Sequence, residues 1–345
     1  MRLFSESSIG FPNLGIGDFN PPDGFTIFGI EIKFYGVIIA VGLLLAVLYA
    51  MRRAKQFGLT SDDILDVVLV GTPCGVIGAR LYYVLSNGTP IDQWVNIRDG
   101  GLAIYGGVIG AVGSVVIFSL LSKKRRRKLL PCIDVAGIGF LIGQAIGRWG
   151  NFFNREAFGD YTDGLFAMRL SADRLSALAD SAQKTMLQDK MVGGFIQVHP
   201  TFLYESVWNA IGFVLLHFLS KKRKFDGQVF LYYLVWYGLG RVYIEGLRTD
   251  SLMLGSFRIS QLLAGATCLL ALAILIYMLM IKQPTGEKLL VNRIAAEEAA
   301  ASQAEEIEEI ATEETEINEE IVIPDNTEET ETAYTAEENE MEDQE

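Results

Sequence analysis

Three cysteines and two histidines in 345 residues leave little material for a metal centre or a disulfide framework. Cys74, Cys132 and Cys268 fall singly inside long apolar runs without metal-ligand spacing, so they read as small packing residues. Basic residues are missing altogether from Ile294 to Glu345, a stretch that holds 21 of the 42 acidic residues. Residues 1–293 therefore carry 29 basic and 21 acidic groups, a net of +8, and the overall −13 is the tail's doing. The basic residues sit in short clusters between apolar runs rather than along one polar face, which argues against nucleic acid as a partner. Residues 1–29 lack the basic start and apolar core of a secretory signal, so the first apolar span is expected to act as its own insertion signal.

What is present is apolar surface. Half of the residues are hydrophobic, mean hydropathy is +0.28 and 35 residues are glycine, which rules out a single water-soluble core. A bilayer core of ~30 Å needs ~20 mostly apolar residues per helix. Seven stretches qualify: 30–51, 62–86, 100–121, 131–148, 199–219, 228–246 and 257–281. The expected fold is thus an all-α integral membrane protein of seven transmembrane helices. Basic residues follow the first span (Arg52, Arg53, Lys55), the third (Lys123–Lys128), the fifth (Lys221–Lys224) and the seventh (Lys282, Lys288, Arg293). The positive-inside rule then puts the N-terminus outside and the C-terminus in the cytoplasm.

The expected organisation is an external segment 1–29, a membrane domain 30–281 with an external insertion 149–198 between helices 4 and 5, and a cytoplasmic acidic tail 282–345. The tail has too few large apolar residues to fold alone and is expected to be solvated and disordered, with Ala295–Ile310 able to form helix. Within the insertion, a stretch near 171–190 is amphipathic and could lie on the membrane or over a site.

Charged groups inside a bilayer are costly, so each one marks a candidate site. Arg80 and Arg148 fall at the ends of outward-running spans, and His199 and Glu205 at the start of an inward-running one. Tyr237, Arg241 and Glu245 occupy the last turns of another outward-running span, with Arg248 and Asp250 just beyond. Tyr35 opens the first span and Gly100–Gly107 the third. All lie in the outer half of the membrane, which favours one site facing the outer leaflet. A transporter would hold such groups at the midplane in repeated halves; no internal repeat is evident.

Four local patterns carry the chemistry. In Gly147–Gly159, Arg148 offers a planar fork for phosphate oxygens, and Asn151 and Asn154 can bind hydroxyls or orient it; the plainer reading is a snorkelling arginine at a helix end. Tyr237, Arg241 and Glu245 share one helix face at i, i+4, i+8, either as a self-neutralising ion pair or as an arginine aimed at an anion and oriented by Glu245. His199 reads plainly as an interfacial cap, while Glu205, inside the span, needs a partner such as an arginine. The glycines around Tyr105 allow close helix packing, or access of a headgroup to that tyrosine. His217, beside Lys221–Lys224 at the opposite face, reads as an anchor.

Six blocks in order, Phe34-Tyr35-Gly36, Gly78-Ala79-Arg80, Gly100–Gly107, Gly147–Gly159, His199–Glu205 and Gly240–Arg248, resemble bacterial prolipoprotein diacylglyceryl transferases. The resemblance covers about residues 30–281, and the Gly147–Gly159 run is its most specific part. It implies transfer of the diacylglyceryl group of phosphatidylglycerol to the lipobox cysteine of a prolipoprotein signal peptide, with a thioether formed and glycerol phosphate released at the outer face of the cell membrane. No cofactor or metal is implied. It casts Arg148 as the phosphatidylglycerol-binding arginine, supported by Asn151, Glu156 and Gly159. Arg241 would hold the phosphate or gate the headgroup with Glu245 and Tyr237 orienting it; Tyr35 would touch the headgroup, and Arg248 would assist at the rim. His199 and Glu205 belong to the same substrate-binding set.

One position departs from the pattern: Tyr105 stands where well-known members carry a histidine assigned as the base for the thiol. An ordinary tyrosine, pKa ~10, is a poor base at neutral pH. Tyr105 could be a perturbed phenolate or a hydrogen-bond donor; Glu156, Glu245 or His199 could take the proton; or the thiol could ionise beside the arginines. The expectation is that Tyr105 positions the headgroup and the arginine field activates the thiol. Two competing functions are a lipid or anion transporter and a non-catalytic membrane partner working through its tail.

Overall fold

The computed structural model describes residues 2–4, 8–96, 100–171, 181–248, 253–254 and 257–320. A long helix occupies each of the seven apolar stretches: α1 Phe34–Arg53, α2 Ser61–Asn87, α3 Ile104–Leu120, α4 Lys123–Asn154, α6 Thr201–Leu219, α7 Gln228–Glu245 and α8 Ile259–Ile276. Five are long and apolar enough to cross a bilayer: α1, α2, α4, α6 and α8. Length and composition therefore support two spans fewer than expected. α3 has only 17 residues, and α7 is made less apolar by Arg241, Glu245 and its tyrosines. α4 begins at Lys123 rather than 131, so the basic cluster forms its first turns, where Lys128 Nζ reaches Asp63 at 2.7 Å. Asp63 is itself half of the capping box that starts α2 with Thr60.

Small residues and one buried acid set the helix contacts. α2 and α3 approach so closely at Gly78, Gly106 and Gly110 that a side chain at any of them would collide with the opposing backbone. Helix α7 starts at Gly227, which has no side chain to cap it. The fully buried Asp134 of α4 supplies the cap, accepting the amides of Gly227 at 2.7 Å and Phe230 at 2.8 Å.

The chain is not all helix. Strands β1 Arg2–Phe4, β4 Gly24–Ile27 and β5 Ile30–Lys33 form an antiparallel sheet in the order β1-β4-β5. A second sheet, β3-β2-β6-β7, joins β2 Ile9–Phe11 and β3 Ile16–Phe19 to β6 Met168–Ser171 and β7 Phe195–Val198. The 149–198 insertion thus pairs with the N-terminal segment, Ile9 lying opposite Leu170. Alternate residues of β6 and β7 point into a core of Ile9, Met168, Leu170, Ile196 and Val198 that rests on Phe152 and Phe202 at the ends of α4 and α6. The short helix α5, Ser181–Gln188, covers part of the amphipathic stretch; residues 172–180 lie outside the described ones. β8 Met253–Leu254 and β9 Phe257–Arg258 form a small hairpin before α8.

The chain divides into units Met1–Arg293 and Ile294–Glu345. At the end of the first, Leu290 is buried and donates its amide to Asp226 at 2.9 Å. In the second, the helical expectation for Ala295–Ile310 falls within α9, Leu290–Glu320, exposed throughout Ala295–Thr312. The rest of the tail lies outside the described residues.

Candidate active site

The C-terminal end of α4, the first turns of α6 and the last turns of α7 meet around one carboxylate. Glu205, 4% exposed, faces three arginines. Its Oε2 lies 2.5 Å from Arg148 Nη2, and its Oε1 lies 3.3 Å from Arg241 Nη1 and 3.8 Å from Arg248 Nη1. Glu245, also buried, sits 2.7 Å from Arg241 Nη2 and 4.0 Å from Arg248 Nε. Both carboxylates are engaged, and three guanidinium groups converge on them. Where water is largely excluded, guanidinium groups gathered this closely attract an anion strongly.

Beyond Arg148 the chain turns sharply. Asn151 Oδ1 accepts from Arg148 Nη1 at 3.3 Å, and Asn151 Nδ2 donates to Glu156 Oε1 at 2.9 Å, as Asn154 Nδ2 does at 3.2 Å. Exposed Glu156 therefore fixes the amide that fixes the arginine. Arg155 and Ala157 flank it with φ of 51° and 56°, a left-handed turn that non-glycine residues rarely adopt. Arg155 is held there by burial: its guanidinium pairs with Asp23 and donates to the carbonyls of Phe153 at 2.6 Å and of Pro21. The N-terminal segment is thus latched onto the turn that carries Asn151, Asn154 and Glu156.

The other expected residues divide between the cluster and its frame. The Tyr35 ring lies against Gly150 of α4, where a Cβ would come 2.7 Å from the ring. Tyr237 stacks on Tyr233 along α7, with ring centroids 5.6 Å apart. Gly159 donates its amide to His199 at 2.9 Å and has no room for a side chain against His199 and the Leu247 carbonyl. The His199 ring contacts Tyr204, Nδ1 to hydroxyl 3.2 Å. Burial pushes the imidazole below its ordinary range, partly opposed by Asp160. Tyr105, in the first turn of α3, is partly exposed and hydrogen-bonds to no member of the cluster among the described residues. Arg80 does not join the cluster through any hydrogen bond or ion pair among the described residues. Its guanidinium donates to four carbonyls, of Gln93, Trp94, Gly100 and Gly101, at 2.7–3.0 Å and so builds the loop that leads into α3. Asp250 lies outside the described residues.

Residues 22–277 match the family model for prolipoprotein diacylglyceryl transferase. The chain belongs to that family. Among curated relatives it is similar to the phosphatidylglycerol–prolipoprotein diacylglyceryl transferase of Clostridium novyi (strain NT), 42% identical over 259 residues, covering 74% of this chain and 95% of the relative. The enzyme of that name from Clostridioides difficile (strain 630) is 40% identical over 244 residues, 70% and 88% of the two chains. That of Bacillus mycoides (strain KBAB4) is 42% identical over 237 residues, 68% and 83%. The family match takes in the three-helix junction and Asp23 but stops before the acidic tail. Sequence reasoning passed over Arg155 and Asp23, although a positive charge directly after Asn154 was there to be noticed. Its buried partner lies 132 residues away and leaves no local signal.

Proposed function

We propose that this membrane protein transfers the diacylglyceryl group of phosphatidylglycerol to the lipobox cysteine thiol of prolipoprotein precursors and releases glycerol phosphate, at the outer leaflet of the bacterial cell membrane. The single observation that carries the reading is the convergence of Arg148, Arg241 and Arg248 on Glu205 and Glu245. In the reaction the cysteine thiol loses its proton to water, its sulfur forms a bond to the glyceryl carbon, the carbon–oxygen bond to phosphate breaks with its electron pair staying on oxygen, and the leaving phosphate gains negative charge. Fixed guanidinium groups stabilise that charge better in a water-poor site than water does.

Arg148 and Arg241 hold the phosphate in this mechanism, with Arg248 completing the field at the rim. Glu205 and Glu245 aim the arginines and limit their mutual repulsion. Asn151, Asn154 and Glu156 fix the approach side of Arg148, while Tyr35 and Tyr237 pack beside the headgroup; His199 and Gly159 hold the loop. The same arginines lower the pKa of the incoming thiol, and Tyr105 positions the headgroup rather than taking the proton. The accompanying topology has seven crossings, with α3 and α7 spanning beside longer neighbours, the N-terminus outside and the tail in the cytoplasm.

The test is an assay in detergent with phosphatidylglycerol and a lipobox peptide, read by mass spectrometry as a diacylglyceryl adduct on the cysteine. Wild type forms the adduct and Arg148→Ala does not. A folded wild-type protein that forms none, beside a working control enzyme, overturns the reading.

A further inference from the structure

One helical turn deeper than the arginine cluster lies a second polar layer. Gln144 is four residues before Arg148 on α4, Asn209 four after Glu205 on α6, and Tyr233 four before Tyr237 on α7. Each therefore shares the face of the residue above it, about 6 Å further into the bundle. These are neutral groups inside apolar helices, so each must be satisfied within the protein or by something bound there.

They are not satisfied by one another. Gln144 Nε2 donates to the Tyr233 hydroxyl at 3.0 Å, but Gln144 Oε1 is buried without a hydrogen-bond partner among the described residues. Asn209, 2% exposed, likewise keeps a buried Oδ1 without a partner among the described residues. Leaving a buried polar atom unmet costs about 1–3 kcal/mol, and two in adjoining helices at one depth mark a place rather than an accident. α4 and α6 are joined at this level by Ser206, whose hydroxyl donates to the Ala145 carbonyl at 2.8 Å. The nature of the missing partner follows from the atoms on offer. They are amide ends and a phenol, with no charge among them, so neither an ammonium nor a second phosphate is matched. A hydroxyl is matched: it donates and accepts, and it satisfies an amide in either orientation.

We propose that Gln144, Asn209 and Tyr233 form a subsite for hydroxyl groups directly beneath the phosphate-binding arginines, and that it selects a polyol headgroup. This rests on the reading of the arginine cluster as the phosphate site of a phospholipid. The hydroxyls could come from the headgroup glycerol or from water trapped in the layer, and only the first confers selectivity.

The experiment compares phosphatidylglycerol with phosphatidylpropanol, which has the same scissile carbon–oxygen bond and no headgroup hydroxyl. The full-length protein is assayed in detergent with a lipobox peptide, and kcat/KM is measured for each lipid. Wild type favours phosphatidylglycerol by roughly ten- to a hundred-fold, the effect of one or two hydrogen bonds to buried neutral groups. Asn209→Leu and Gln144→Met, close in volume to the originals, bring that ratio towards one by raising KM for phosphatidylglycerol. Tyr233→Phe reads the same layer if either variant fails to fold. A wild-type ratio near one, a ratio kept in the variants, or an equal loss on both lipids as expected for a layer of water alone, overturns the subsite. Transfer from neither lipid by folded wild type overturns the functional reading instead.

Discussion

Trp208 of α6 and Trp236 of α7 stack face to face, their ring centroids 4.3 Å apart and their planes 17° from parallel, and each indole N–H donates to the other's carbonyl at 3.0 Å. Each ring also covers a glycine of the opposite helix, Trp208 over Gly240 and Trp236 over Gly212, so closely that any Cβ there would overlap the indole nitrogen. The pattern Trp-x-x-x-Gly thus occurs once on each helix and locks the two together reciprocally. Glu205 lies three residues before Trp208, and Arg241 directly follows Gly240. The clasp therefore sets the register at which the carboxylate and the guanidinium meet.

Gly240→Ala adds one methyl at the point of closest approach and must push Trp208 aside. Displacing Arg241 by even ~1 Å is expected to lower kcat/KM for lipid transfer by roughly 100-fold. Trp208→Phe, which empties the space over Gly240, restores part of the loss in the double variant. Steady-state kinetics of the two single variants and the pair check this; strictly additive losses would mean that the clasp does not act through register.

Glu205→Gln keeps the shape of the hub and removes its charge. Arg148, Arg241 and Arg248 then lose their ion pairs to Glu205, and breaking a buried pair in this way costs about 3–5 kcal/mol. The expected result is a clear fall in the melting temperature of the detergent-solubilised protein together with loss of transfer. An anionic lipid or inorganic phosphate in the buffer raises the melting temperature of this variant more than that of wild type, because it supplies the missing negative charge. Melting curves with and without phosphate decide the matter.

Tyr105→Phe removes only a hydroxyl, and among the described residues that hydroxyl bonds to none of the charged cluster. If the arginines ionise the thiol as proposed, the variant keeps kcat within about ten-fold of wild type, with the change mainly in KM for phosphatidylglycerol. Loss of turnover with lipid binding intact would make Tyr105 directly catalytic.

The helices were legible in the sequence because a bilayer demands long apolar runs, and a charge inside such a run stands out. Glu205 could be seen to need an arginine. That it has three depends on how α4, α6 and α7 cross, and the glycines and tryptophans that set those crossings look like ordinary apolar filling. Gln144 and Asn209 escaped notice because an amide among leucines carries no charge. The sheets were hidden for another reason: strands of three or four residues have little periodicity of their own, and Ile9 finds its partner Leu170 only across the first four long helices. Arg80 shows that a half-buried arginine within a span can serve carbonyl groups.

Asp23 and Arg155 supply a last, more stringent check. Arg155 occupies a left-handed backbone conformation suited to glycine and is kept there by its buried pair with Asp23. Asp23→Ala removes the carboxylate partner of a buried guanidinium and is expected to cost about 3–5 kcal/mol, because the ion pair is lost with no water to replace it. Arg155→Gly removes that charge and also relaxes the backbone at the turn, so the double variant Asp23→Ala/Arg155→Gly should be more stable than Asp23→Ala alone. Activity follows a different order. Both single variants and the double variant release the N-terminal segment from the turn that carries Asn154 and Glu156, so all three lose the orientation of Asn151 towards Arg148 and show reduced kcat/KM. Melting temperatures that recover in the double variant while kcat/KM does not would separate the latch's part in stability from its part in placing Arg148; recovery of both would reduce the pair to a stabilising contact.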